Sequence, residues 1–113
     1  LSYQSIADRY EGTIEAAEDT SATPLTWDMS AEQGRAALVI DITVSAEMTL
    51  HYQPARTAAE LSSPEHDYTE TVPANSSRQY VLPINPALPH GKLWLACVDG
   101  GDYVVDVGRR AHS

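Results

Sequence analysis

From Leu25 onward the apolar residues of this chain recur at every second position, and that period restricts what it can fold into. In "RAALVIDITV", Leu38, Ile40, Ile42 and Val44 fall on one face of an extended segment. Leu25, Trp27 and Met29 alternate with Thr26 and Asp28, and "MTLHY" repeats the pattern with Met48, Leu50 and Tyr52. "HDYTETV" and "RQYVLPI" read as two more strands joined through "PANSS", and "SAEQGR" supplies an earlier turn. Pro83, Pro86 and Pro89 mark an irregular crossing, because proline cannot donate to a ladder. Between Gln53 and Glu65 lies a Pro-, Ser- and Ala-rich connection with room for one helical turn.

The last two strands, "GKLWLACV" and "DYVVDVG", flank Gly100-Gly101, which suits a two-residue hairpin turn. Such a hairpin sets Val98 opposite Tyr103, Ala96 opposite Val105 and Trp94 opposite Val107 as one apolar face. Leu93, Leu95, Cys97 and Val104 form the other, interrupted by Asp106. Both faces being apolar, one is expected in the core, and the other needs a helix or a partner as cover. About seven short strands with turn signals between them predict an all-β, immunoglobulin-like sandwich over 24–113; a small barrel is the alternative. Ahead of it, Tyr3, Ile6, Ala7, Tyr10 and Ile14 recur at helical spacing, and "EAAEDTSATP" reads as a linker. Residues 1–23 are therefore expected to be a short helix and linker.

With 113 residues the chain suits a single domain. Sixteen Asp and Glu against seven Lys and Arg give a formal charge of −9, which repels phosphate backbones and argues against nucleic-acid binding. One cysteine excludes an internal disulfide, and no apolar run is long enough to span a bilayer. The chain opens on Leu1 rather than Met, so it reads as processed or cut, which leaves room for a targeting or anchoring segment before it.

No constellation of catalytic residues emerges, and an enzyme is not expected. His90 and Cys97 stand seven residues apart, roughly 20 Å along an extended strand, too far to share a metal. Cys97 therefore reads as a small buried hydrophobe. Met48 and His51 offer a thioether and an imidazole, ligands that suit copper, but their odd spacing places them on opposite strand faces. Met48 is expected in the core and His51 on the surface. Ser62, Ser63, Glu65, His66 and Asp67 read as a solvated loop with no nucleophile elbow, and His112 as part of a tail. The scattered carboxylates contain no calcium-loop spacing. No metal or cofactor is expected. Trp94, Leu93, Leu95, Tyr103 and Trp27 are the candidate partner-contact residues, although Trp27 alternates with Leu25 and Met29 as a core residue would.

Two stretches, "LHYQPARTAAELSSPEHD" and "RQYVLPINPALPHGKLWLAC", resemble the periplasmic domain of the FixH (CcoH) family, through Tyr52, Pro54, Ala58, Ala59, Asp67, Tyr80, Leu88, Gly91 and Trp94. "SYQSIADRYEGTI" resembles the helix that follows that family's single membrane span. The resemblance implies a protein of the bacterial inner membrane, with this domain in the periplasm and an N-terminal anchor. Its implied role is to assist assembly of a cbb3-type cytochrome oxidase, beside a copper-transporting ATPase, by protein–protein contact and without catalysis. An envelope module that binds a glycan or another protein, and a direct copper carrier, are the alternatives.

Overall fold

A computed structural model describes residues 2–29, 36–83 and 87–111, with side chains over 9–29, 37–82 and 87–108. The expected turn over 30–35, Pro86 and His112 lie outside the described residues. Among those described are nine strands: β1 (Ser2–Ile14), β2 (Glu18–Asp19), β3 (Leu25–Asp28), β4 (Ala36–Val44), β5 (Met48–Ala55), β6 (Tyr68–Val72), β7 (Ser76–Pro83), β8 (His90–Cys97) and β9 (Gly101–Ala111). They form two antiparallel sheets. One runs β1-β9-β4-β7; in the other β8 is bordered by β2 and β3 on one side and by β5, then β6, on the other.

The β-sandwich expected from the two-residue period is present. β4 turns Leu38, Ile40, Ile42 and Val44 inward, against Met48 and Leu50 of β5 and Leu93, Leu95 and Cys97 of β8; all are at most 4 % exposed. Each large aliphatic side chain so buried contributes ~1.5–3 kcal/mol through removal from water. β2 and β3 pair with successive halves of β8 and act as one interrupted edge strand. Thr20 bridges the interruption: its N–H donates to the Leu95 carbonyl at 2.9 Å, and its Oγ1 accepts from the Leu95 N–H at 2.9 Å.

Strand order departs from the immunoglobulin arrangement. That fold pairs many consecutive strands as hairpins, whereas among the described strands only β5 and β6 are consecutive and bonded to each other, across the connection over 56–67. With β2 and β3 counted as one interrupted strand, the chain elsewhere alternates between sheets, the two-sheet winding of a jelly roll. The expected β8–β9 hairpin is therefore corrected. β8 lies between β3 and β5, β9 lies between β1 and β4, and Gly100 (φ +85°) carries the chain from one sheet to the other. Neither expected apolar face holds as a unit: Leu93, Leu95 and Cys97 of β8 and Val105 and Val107 of β9 point into the core from opposite sheets, whereas Trp94 and Ala96 are half-buried on the outer side of β8 and Val98 is 77 % exposed.

The N-terminal helix is also corrected. Residues 2–14 form a strand paired with β9, from Ser2↔Ala111 to Ile14↔Gly101, with an irregularity between Gln4 and Asp8. Tyr10 and Ile14 are four apart, a separation that satisfies a helix and a strand equally. Ten cross-strand pairs with β9 decide for the strand. β2 pairs with β8, so the segment before residue 24 is woven into both sheets rather than set in front of them. Among the described residues no helix is long and apolar enough to cross a membrane.

Candidate functional site

On the inner side of the β5–β6 pair, Met48 faces Val72, Leu50 faces Glu70 and Tyr52 faces Tyr68. Strand alternation thus puts Glu70, itself exposed, on the core-facing side of the edge strand, two residues from a fully buried valine. β6 and β7 are the edges of opposite sheets, so the sandwich is open along that side. Tyr80 and Leu82 reach the opening from β7, where they pair with the inward-facing Ile40 and Leu38. Leu50, Tyr52, Tyr68, Glu70, Tyr80 and Leu82 together line a groove of about 300 Å³.

The groove is backed by a run of rings. Trp27 stacks on Tyr52 at 5.3 Å and 15°; Tyr52 meets Tyr68 at 6.2 Å and 35°; Tyr68 meets His66 at 5.9 Å and 11°. Gly91 makes the first contact possible. It sits opposite Trp27 in the ladder, between β3 and β5, and a Cβ there would overlap Cζ2 of the indole. Without that Cβ, Trp27 lies across β8 and reaches Tyr52. Burial pushes the Tyr52 hydroxyl above its ordinary pKa, with a smaller contribution from Tyr68. The Tyr80 hydroxyl is raised by burial and then by the Glu70 carboxylate, with Arg78 opposing. Among the described residues Glu70 and the hydroxyls of Tyr52, Tyr68 and Tyr80 have no hydrogen-bond or ion-pair partner. Three phenols and one carboxylate therefore line an open groove with their polar atoms uncommitted.

A second aromatic cluster lies on the outer face of the same sheet. Trp94 and His51 are cross-strand partners stacked at 3.7 Å and 3°. His51 Nδ1 is 3.0 Å from Asp67, and the Trp94 indole N–H donates to Gln53 Oε1 at 3.2 Å. Gln53 is buried, with a 3₁₀ turn (Ala58–Ser62) against β5 and β8. Thr57 caps that turn by accepting from the Glu60 N–H at 3.3 Å, so the helical turn expected in this connection is present. The Trp94 indole N–H, the Gln53 carbonyl and His51 Nδ1 are thus answered from within the chain. The cluster fastens the connection over 56–67 to the sheet.

Of the candidate contact residues, Leu93, Leu95 and Trp27 are core residues at 4 %, 2 % and 7 % exposure, which removes them from any presented surface. Trp94 and Tyr103 are half-buried, Trp94 inside the cluster just described and Tyr103 packed against the core. Met48 is core and His51 lies on the outer face, as their odd spacing implied. Met48 and Cys97 are cross-strand partners, a proximity their separation in sequence does not reveal. Both are buried, and the Cys97 thiol donates to the Glu47 carbonyl at 3.6 Å. His90 and Cys97 occupy opposite ends of β8. Among the described residues no three His, Cys, Asp or Glu side chains converge as metal ligands.

Sequence reasoning missed the tyrosine groove, because its residues come from three strands. The available signal was Glu70, a charge at an inward position of "YTETV".

No protein-family model matches this chain, and no curated protein matches it. Among solved structures it is similar to the crystal structure of PirA, with a TM-score of 0.57 and 13 % identity over 90 % of this chain and 93 % of that one. It is also similar to a protein of the disulfide-linked pili of Bacillus endospore appendages, with a TM-score of 0.49 and 12 % identity over 100 % of this chain and 93 % of that one. At such identities the PirA likeness speaks for the fold alone.

Proposed function

We propose that this chain is a non-catalytic β-sandwich binding module whose ligand sits in the tyrosine-lined groove between β6 and β7. One observation carries the reading: three phenol rings and an unpaired carboxylate line a groove of about 300 Å³ at the open side of the sandwich. That is the lower end of the volume typical of small-molecule sites, which combine mostly apolar walls with a few convergent polar groups. Ring faces hold the apolar side of a ligand, and the free hydroxyls and Glu70 fix its orientation. Among the described residues no Ser, Cys, His or Lys lines the groove, and we read it as a site for binding rather than turnover.

The oxidase-assembly role stays a proposal supported by the FixH resemblance alone. It calls for an exposed contact face, and the aromatic residue best placed to supply one is Tyr68, 56 % exposed at the groove mouth. Saturation-transfer NMR with a panel of monosaccharides, alkylammonium ions and small aromatic acids tests the groove reading. At least one class is expected to give signal with the wild type and to lose it with Tyr68→Ala. Signal that survives both Tyr68→Ala and Tyr80→Ala places the ligand elsewhere.

A further inference from the structure

Given that the groove is a binding site, we infer that it takes an organic cation, of the alkylammonium class, held between the faces of Tyr52, Tyr68 and Tyr80 with Glu70 as its counter-charge. Aromatic faces carry negative potential and attract ammonium groups, and cages of several rings with an acid are the general solution for quaternary ammonium recognition. The three rings line one groove from two sheets. Tyr52 and Tyr68 are tilted by 35° rather than coplanar, and Tyr80 comes from the opposite sheet. A flat pyranose is served best by a single broad platform, whereas a rounded cation is served by several faces at different angles.

Charge points the same way. Among the described residues Glu70 has neither an ion pair nor a hydrogen bond, although it faces the groove beside three rings. The chain's net charge of −9 gives a field that draws cations toward it and repels anions. The internal cation nearest in sequence to the rings is Arg78, two positions before Tyr80 on the same strand; it is close enough to oppose the shift of the Tyr80 hydroxyl but does not line the groove. An inward charge on an edge strand also discourages edge-to-edge pairing. That role would use Glu70 without any ligand, and the test separates the two.

The test is calorimetric titration of the whole chain with choline and with 3,3-dimethylbutan-1-ol, its uncharged carbon isostere, at low salt. Methyl glucoside serves as a neutral sugar control. Choline is expected to bind at least about tenfold more tightly than the isostere, the scale of a cation–ring interaction. Glu70→Gln should weaken choline by about tenfold and narrow the gap between choline and the isostere, and Arg78→Gln should tighten choline. Equal affinity for choline and the isostere, or binding of the glucoside alone, overturns the cation assignment and leaves the groove as a binding site. If Glu70→Gln changes self-association but not choline affinity, Glu70 guards the edge and the assignment fails. Failure of all three probes to bind, with Tyr68 and Tyr80 in place, removes the cation assignment, while the groove reading stands or falls on the saturation-transfer panel.

Discussion

Two residues do work that their types alone would not suggest. Gly91 is the floor on which Trp27 lies, and it lets an indole from an edge strand cross β8 to reach Tyr52 on β5. Gly91→Ala should cost roughly 1–3 kcal/mol, the range for overpacking a filled site. It should also loosen the back wall of the groove. Urea unfolding gives the first effect, and the ring-current shifts of Tyr52 give the second. Trp94 is the other case: its N–H satisfies Gln53, a polar side chain only 8 % exposed. Trp94→Phe keeps the ring face but orphans that carbonyl, so the expected loss is about 1–3 kcal/mol. A smaller loss than for Trp94→Ala, measured by the same denaturation, would show that the stack on His51 contributes separately.

At the scale of elements, strands were legible and their partners were not. Alternation in "RAALVIDITV" and "MTLHY" specifies which side chains turn inward, and Leu38, Ile40, Ile42, Val44, Met48 and Leu50 do so. Inward residues look the same whichever sheet they belong to, so β8 and β9 read as a hairpin although the chain changes sheet between them. The N-terminal strand was hidden because Tyr10 and Ile14 fit two periods at once. The groove was hidden for a related reason: Tyr52, Tyr68 and Tyr80 meet only once β5, β6 and β7 are assigned to their sheets. Corners between sheets are where backbone strain collects. Ala17, at the corner between β1 and β2, holds φ +62°, a left-handed conformation that costs a non-glycine residue roughly 1–2 kcal/mol. Ala17→Gly is accordingly expected to raise stability by up to about 1 kcal/mol, part of the gain being lost to added freedom in the unfolded chain. Thermal unfolding checks the sign.

For the whole molecule, the groove ties stability to alkaline pH. Tyr52 and Tyr80 both have pKa values raised by burial, so the fold favours their neutral forms. The unfolded chain releases these protons near the ordinary value of about 10, before the folded chain does. The stability they lend is therefore intact below about pH 10 and is lost as pH climbs through the raised folded-state values. Tyr52→Phe and Tyr80→Phe should each flatten that alkaline decline, measured as the unfolding midpoint from pH 8 to 11. The excess of acid over base acts across the same molecule, favouring cationic ligands at low ionic strength and weakening that preference as salt rises.

The account rests on the groove between β6 and β7 as the place where a ligand binds, and ring-selective NMR of ¹³C-labelled tyrosine reads that place directly. On titration with the probe that gives the strongest saturation transfer, the rings of Tyr52, Tyr68 and Tyr80 should shift together, with one affinity, while those of Tyr10 and Tyr103 stay still. Unmoved groove rings beside a shifting Trp94 indole would put binding on the outer face of the sheet and contradict the account.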